Sequence, residues 1–162
     1  MQLFIMRHGQ AEYGADLDSN RQLTELGENE ATRSAQWILK QCSEFDLVLV
    51  SPYIRAQQTW AKLAQAGVVA KQVETINDLM PDSTPSQAAS AICAYGADAK
   101  SVLVVSHLPL VSYLVEEFTI HAGPLFSTAG VAQIDDIDLS TSIHRGELVK
   151  FIAPAHMAEV AV

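Results

Sequence analysis

The chain has 162 residues, a length that allows one compact domain and argues against two, so we expect residues 1–162 to form a single domain. Apolar residues make up 49% of the sequence and charged residues 18%, a composition that supports a sizeable core and excludes intrinsic disorder. Ten Lys and Arg residues against nineteen Asp and Glu residues give a net charge of −9, which disfavours nucleic-acid binding because that function needs a basic face.

Short apolar runs alternate with helical patterns along the first half of the chain. Residues 2–6 and 46–50 predict strands, and the second run is almost wholly apolar, as a strand buried on both faces should be. Between them, a helix is predicted from the three- and four-residue spacing of Ala31, Ala35, Ile38 and Cys42. Ser51 and Pro52 predict the start of a second helix, as a capping hydroxyl and a proline at the first helical position. Its apolar face consists of Ala56, Thr59, Trp60 and Leu63.

The alternation continues in the second half, with strands predicted at residues 72–76 and 101–105. Thr84 and Gln87 fit a capping box at the start of a third helix. A fourth helix is predicted to begin near Pro109, and its core-facing residues are Val111, Leu114, Val115 and Phe118.

Two further strands are predicted near the carboxyl end, at residues 130–139 and 147–152. We interpret them as an edge hairpin, joined by a polar stretch that includes Ser140, Thr141 and Ser142. All the elements together predict an α/β fold: one three-layer α/β/α domain with a mostly parallel central sheet of five or six strands and helices on both faces.

Neither a membrane span nor a secretory signal is predicted. The longest apolar runs fall far short of the ~20 residues that cross a bilayer, and no basic segment precedes the short apolar run before Arg7. We therefore expect a cytoplasmic protein. Cys42 and Cys93 lie far apart and outside any CxxC pattern, so they are predicted to be buried free thiols.

Basic side chains follow three of the predicted strands, where ligands bind in open α/β sheets. They are Arg7 and His8, then Arg55, then His107. Two guanidinium groups and two imidazoles without an acid among them predict an electropositive pocket for an anion, and paired Arg donors suit phosphate. The clustered positive charge disfavours protonation of a neighbouring imidazole, so one histidine could attack phosphorus.

Other kinds of site fit these residues less well. A single Arg or His is more often a surface or structural group, but four of them at strand ends favour a functional site. The five histidines show no close pairing such as HxH or HExxH, so we expect no metal site. No GxSxG elbow surrounds Ser51 or Ser106, and the glycines form neither a Walker loop nor a dinucleotide fingerprint.

Several motifs resemble those of one family. Arg7-His8-Gly9 is similar to the RHG signature of the histidine phosphatase, or phosphoglycerate mutase-like, superfamily. Residues 23–27 (LTELG), 50–59 (VSPYIRAQQT) and 105–107 (VSH) resemble its further blocks in order, so the match covers essentially the whole chain. The short length, Arg21 and residues 105–111 (VSHLPLV) are most similar to the SixA-type protein-phosphohistidine phosphatases.

The resemblance implies a phosphoglycerate mutase-like fold and a reaction without a cofactor. It implies that His8 is the nucleophile and becomes phosphorylated. Arg7, Arg55 and His107 would bind the transferring phosphoryl group, with a protonated His107 balancing its growing negative charge.

The partner is predicted from the pocket and from the resemblance. No large insertion follows the strands, which predicts a shallow pocket suited to a phosphorylated side chain on a protein. The resemblance implies a histidine phosphotransfer domain of a signalling kinase. Arg21 either binds this substrate or only pairs with an acid such as Asp18, and Thr24 also fits a helix N-cap.

One position departs from the family pattern. In the mutase-like branch a proton-donating glutamate commonly follows a leucine by two positions, whereas Pro81 follows Leu79 here. Asp78 or Asp82 could replace it, or both could be solvated loop carboxylates. Because the imidazole of phosphohistidine can leave protonated, we expect a preference for that substrate over phosphate esters. The alternatives are a small-molecule phosphomonoesterase or mutase and a non-catalytic phosphohistidine-binding module.

Overall fold

Strands and helices alternate along the chain, as the sequence predicts. The computed structural model describes residues 1–140 and 145–157. The strands are β1 (Gln2–Arg7), β2 (Glu44–Phe45), β3 (Leu47–Val50), β4 (Val69–Ala70), β5 (Val73–Thr75), β6 (Ser101–Ser106), β7 (Val131–Asp135) and β8 (Glu147–Ile152). The helices are α1 (Glu25–Gln41), α2 (Ile54–Gln65), α3 (Pro85–Tyr95), α4 (Leu110–Phe118) and α5 (Pro154–Met157). Asp18–Asn20 and Asn77–Leu79 form 3-10 turns.

The central sheet has six strands in the order β5-β3-β6-β1-β7-β8. The first four run parallel, β7 is antiparallel to β1, and β8 is antiparallel to β7 at the edge. This confirms the predicted mostly parallel sheet and its edge hairpin. β2 and β4 form a separate parallel pair that the sequence did not predict.

The carboxyl ends of β1, β6 and β3 lie side by side. Arg7 is paired with Ser106 between β1 and β6, and Val50 with Val105 between β3 and β6. The residues that follow these strands therefore enter the same crevice at one edge of the sheet, the place where ligands bind in this class of fold.

Apolar side chains cover both faces of the sheet. Along β1, Leu3 and Ile5 pack into one buried cluster and Phe4 and Met6 into another, as strand alternation requires. The first cluster includes residues of α3 and α4, and the second includes residues of α1, α2 and α5. The three-layer α/β/α architecture is thus confirmed. No helix in the described ranges is long and apolar enough to cross a membrane.

Helix starts follow the sequence signals only in part. Thr24 is the N-cap of α1, and its Oγ1 accepts a hydrogen bond from Gly27 N at 3.0 Å. Ser51 is not a cap, because α2 begins only at Ile54. Thr84 stands at the N-cap of α3, yet its side chain makes no capping hydrogen bond, so the predicted capping box is wrong.

Two smaller predictions also need correction. β7 ends at Asp135, short of the predicted residue 139, where the next residue, Asp136, turns the chain with a φ of 60°. Cys42 and Cys93 are free as predicted but partly exposed, so they are not buried thiols. In the predicted polar stretch, Thr141 and Ser142 lie outside the described residues.

Candidate active site

Three neighbouring strands deliver the predicted basic side chains to one crevice. His8 follows β1, His107 follows β6, and Arg55 lies in the first turn of α2 behind β3. The two imidazole ring centres are 5.1 Å apart, and Arg55 Nε is 3.2 Å from His8 Nε2. All three side chains are buried, so they meet inside the protein rather than on its surface.

The partners of His8 define its tautomer. Its Nδ1 is 2.6 Å from Gly9 O, a carbonyl that can only accept, so Nδ1 carries the proton. Nε2 then keeps its lone pair and accepts the hydrogen bond from Arg55 Nε. Burial lowers the pKa of His8 to about 4; the Gly9 hydrogen bond opposes this shift, and the charges of Arg55 and Arg7 add to it. At neutral pH the ring is therefore uncharged, and its lone pair at Nε2 can attack phosphorus once the hydrogen bond from Arg55 Nε is displaced.

Close backbone contacts fix the loop behind His8. Gly9 N donates to Thr59 Oγ1 at 3.0 Å, and Thr59 Oγ1 donates to Arg55 O at 2.7 Å. A Cβ atom on Gly9 would lie 2.5 Å from Gly27 O, and one on Gly27 would collide with Gln10 O. The glycines of the RHG and LTELG motifs therefore let two chain segments touch. Thr59 was expected on an apolar helix face and at the end of the VSPYIRAQQT block, and neither signal predicted this contact.

Arg7 enters the crevice from the last position of β1. Its Nη1 donates to Phe126 O at 2.9 Å, whereas its Nε is buried with no hydrogen-bond partner among the described residues. Burial lowers the pKa of Arg7; Glu30 opposes this shift and Arg55 adds to it. A buried guanidinium with an unpaired donor is suited to binding an anion.

Asp18 joins Arg55 to Arg21 at the rim of the crevice. Arg55 Nη1 donates to Asp18 O at 2.7 Å, and Arg55 Nη2 lies 3.1 Å from Asp18 Oδ2. Arg21 Nη1 lies 3.1 Å from Asp18 Oδ1, and its Nε donates to Glu12 O. Burial opposes ionisation of Asp18, but hydrogen bonds from both arginines outweigh it and hold the pKa of this carboxyl below its ordinary value. Arg21 thus makes the ion pair that the sequence left as one of two options.

His107 packs between the rings of His8 and Tyr53, each with its ring centre 5.1 Å from that of His107. Its Nε2 is 2.7 Å from Ser51 Oγ, and its Nδ1 is buried with no partner among the described residues. Burial lowers the pKa of His107 to about 2, and the charges of His8, Arg55 and Arg7 add to this shift. The ring is therefore neutral at neutral pH in this structure, and its protonation during phosphoryl transfer stays a prediction.

The turn after β5 carries the two candidate proton donors. Ser106 Oγ donates to Leu79 O at 2.7 Å, which anchors this turn beside the end of β6. Asp78 is partly exposed and Asp82 is exposed, and neither makes a hydrogen bond to a side chain of the crevice within the described residues. Over the same residues, no group of three or more His, Cys, Asp or Glu could hold a metal ion.

Known proteins resemble the chain in sequence and structure. The family model of the histidine phosphatase superfamily (branch 1) matches residues 3–80. The phosphohistidine phosphatase SixA of Escherichia coli (strain K12) is 39% identical over 140 residues, which cover 83% of this chain and 84% of that protein. The chain belongs to the histidine phosphatase superfamily.

Structural comparison supports the same family. The structure of the protein histidine phosphatase SixA complexed with tungstate matches with a TM-score of 0.89 and 35% identity, covering 97% of this chain and 99% of that one. A 2,3-bisphosphoglycerate-dependent phosphoglycerate mutase of Methylorubrum populi (strain ATCC BAA-705 / NCIMB 13946 / BJ001) is 34% identical over 84 residues, which cover 47% of this chain and 40% of that enzyme.

The buried histidines of this histidine phosphatase fold predict acid sensitivity. The pKa values of His8 and His107 lie at about 4 and about 2, below the value of 6.5 expected in the unfolded chain. Below pH 6.5 the unfolded chain binds protons that the folded chain does not, so the free energy of unfolding falls as the pH falls. Each histidine contributes about 1.4 kcal/mol per pH unit once its unfolded form is fully protonated.

We therefore expect His107→Asn to flatten the pH dependence of unfolding by about 1.4 kcal/mol per pH unit between roughly pH 5.5 and 4.5. Urea denaturation at several pH values measures this slope. His121→Asn changes an exposed histidine and serves as the control. Equal slopes for wild type and His107→Asn would contradict the expectation.

Proposed function

We propose that this protein is a phosphohistidine phosphatase that removes the phosphoryl group from phosphohistidine on a protein. The observation that carries the proposal is the state of His8, a buried neutral ring whose Nε2 lone pair is held by Arg55 Nε at 3.2 Å. Arg7 and His107 each bring to the same crevice a buried nitrogen that has no partner in the described part of the chain. This arrangement provides a nucleophile and donors for the oxygens of a transferring phosphoryl group.

The proposed reaction has two in-line steps. In the first, a bond forms between His8 Nε2 and phosphorus while the bond from phosphorus to the substrate imidazole breaks, and the imidazole leaves with that electron pair. In the second, water attacks phosphorus, the electron pair of the cleaved bond returns to His8 Nε2, and a proton of the water passes to solvent. Arg7 and Arg55 would hold equatorial oxygens in both steps.

The absence of a glutamate two positions after Leu79 favours phosphohistidine, with its phosphorus–nitrogen bond, over a phosphate ester as the substrate. Pro81 stands where the mutase-like branch carries its proton donor, and Asp18 is a poor substitute because its pKa is lowered. An alkoxide leaving group needs a proton from a general acid, which is worth roughly 10²–10⁴ in rate, whereas an imidazole protonated on its other nitrogen leaves uncharged. We therefore propose that phosphohistidine is turned over faster than phosphate esters.

A protein substrate fits the rim of the crevice. The Asp18 side chain is 57% exposed although it contacts buried Arg55, so the site opens directly onto the surface. A histidine on a second protein, such as a histidine phosphotransfer domain, could reach it there without being engulfed.

The free cysteines Cys42 and Cys93 fit a reducing compartment, and we propose the cytoplasm.

A small-molecule phosphomonoesterase or mutase is the second candidate. The partial sequence match to a phosphoglycerate mutase favours it, and Asp78 or Asp82 would then have to supply the proton. Both residues lie on or next to a turn that Ser106 anchors beside the site. The two candidates differ in the substrate class that they turn over fastest.

The deciding experiment measures phosphate release, in the presence of a chelator, from a phosphorylated histidine phosphotransfer domain and from a panel of phosphomonoesters. We expect kcat/KM for the phosphohistidine protein to exceed that for every ester by roughly 10²-fold or more, because only the esters need the missing acid. The reverse ranking would establish a metabolite phosphatase with Asp78 or Asp82 as proton donor. Binding of the phosphorylated protein without any release would establish a non-catalytic module.

A further inference from the structure

Ser51 has a role that its sequence signal does not explain. It was predicted to cap α2, but its Oγ lies 2.7 Å from His107 Nε2 instead. Both residues are almost completely buried, with exposed fractions of 0% for Ser51 and 1% for His107. This contact uses one of the two ring nitrogens, so Nδ1 is the only nitrogen of His107 left to bind a phosphoryl oxygen.

The hydrogen bonds available to Ser51 Oγ and His107 distinguish the two neutral tautomers of the His107 ring. Ser51 Oγ already accepts a hydrogen bond from Tyr53 N at 3.3 Å, and its hydroxyl hydrogen has no described acceptor other than His107. If Nδ1 carries the proton, Ser51 donates to Nε2 and only the Nδ1–H donor stays unpaired. If Nε2 carries the proton, the Ser51 hydrogen and the Nδ1 lone pair both stay unpaired. Burying two unpaired groups costs more than burying one.

We propose that Ser51 is a positioning residue that holds His107 in the Nδ1–H tautomer, so that the neutral ring offers a donor to the phosphoryl group. A lone pair at Nδ1 would repel phosphoryl oxygens, whereas an N–H binds them. A carboxylate in place of Ser51 could only accept, and it would hold the proton on Nε2. The inference deepens the proposed function and rests on it in one respect, that a phosphoryl group enters this site.

His8 and His107 then have different roles because their hydrogen-bond partners differ. His8 faces a carbonyl, which fixes the proton on Nδ1 and leaves the Nε2 lone pair as the nucleophile. His107 faces a hydroxyl that donates to Nε2 and leaves the Nδ1–H as a donor. Two identical side chains 5.1 Å apart can in this way serve as nucleophile and as hydrogen-bond donor.

Nitrogen-15 NMR of the ligand-free protein, labelled at histidine, tests the tautomer directly at neutral pH. We expect His107 to show a protonated Nδ1 and an unprotonated Nε2, and His107→Asn assigns the signals by their loss. A protonated Nε2 would overturn the proposal. This measurement needs no turnover, so it can fail while the protein still hydrolyses phosphohistidine, and it can succeed even if the proposed substrate is wrong.

Substitution of Ser51 tests the consequence for oxyanion binding, with tungstate as the probe. We expect Ser51→Ala to lose the single tautomer and to weaken tungstate binding by about tenfold, because one donor to a charged ligand is no longer fixed. Ser51→Thr retains the hydroxyl and should restore both properties. Ser34→Ala removes another buried hydroxyl, which donates to Ala129 O at 2.7 Å, and should leave the tautomer unchanged. An unchanged tautomer in Ser51→Ala would overturn the proposal.

Discussion

Replacing His8 with alanine is expected to abolish phosphate release from the phosphohistidine protein. Nε2 is the unprotonated nitrogen of this ring, because Nδ1 donates to Gly9 O, and its lone pair faces Arg55 Nε, whose hydrogen bond the substrate phosphorus would have to displace. Without it, water would have to attack the substrate directly. Loss of a covalent nucleophile in other enzymes costs on the order of 10⁶-fold in kcat, and we expect a comparable loss here. Single-turnover phosphate release measures it.

A trapped intermediate provides the second half of this test. Wild-type protein mixed with radiolabelled phosphohistidine protein and quenched in alkali should retain label on His8, because phosphohistidine survives base. His8→Ala should retain none, while the exposed-site variant His121→Ala should label like wild type. Circular dichroism checks that His8→Ala is folded. Undiminished phosphate release by a folded His8→Ala protein would exclude covalent catalysis through this residue.

The strand-end pattern located the four basic side chains because a parallel sheet imposes a common direction. Because β1, β3 and β6 run parallel, the residues that follow them all lie at the same edge of the sheet, and Arg7, His8 and His107 are among them. The pattern cannot give the strand order, however, since alternation of strands and helices fits several orders. That β6 lies between β1 and β3 is a property of the folded sheet.

The contacts that tune these side chains could not be predicted from local signals. Asp18 lies 37 residues before Arg55 in the chain, on a turn without any apolar periodicity that would place it in space. Ser51 carries a strong local signal for a helix cap, but His107, 56 residues away, takes its hydroxyl instead. In both cases the side chain binds a residue that is distant in the chain, and this contact rather than the local sequence decides its position. The distant residue comes within reach only when the sheet has formed.

Arg55→Ala is expected to lower kcat/KM for the phosphohistidine protein by roughly 10³-fold or more, the effect of removing an arginine that stabilises a transferring phosphoryl group. The guanidinium group of Arg55 contacts two residues of the crevice, His8 and Asp18. Its Nε holds the Nε2 of His8, and its Nη1 and Nη2 are held by Asp18, with donors left over for the substrate. Arg55→Lys keeps the charge but not the planar fork, so we expect it to recover only a small part of the loss.

Two control variants separate the guanidinium itself from its surroundings. Asp18→Asn removes a carboxylate that is 57% exposed but keeps the backbone carbonyl that accepts from Arg55 Nη1 at 2.7 Å. Because exposed ion pairs are worth about 0–1 kcal/mol, this variant should change kcat/KM by less than about tenfold. Arg33→Ala removes an exposed arginine of α1 and should have no effect. If Arg55→Ala lost no more activity than Asp18→Asn, phosphoryl transfer in this crevice would have to depend on Arg7 and His107 alone.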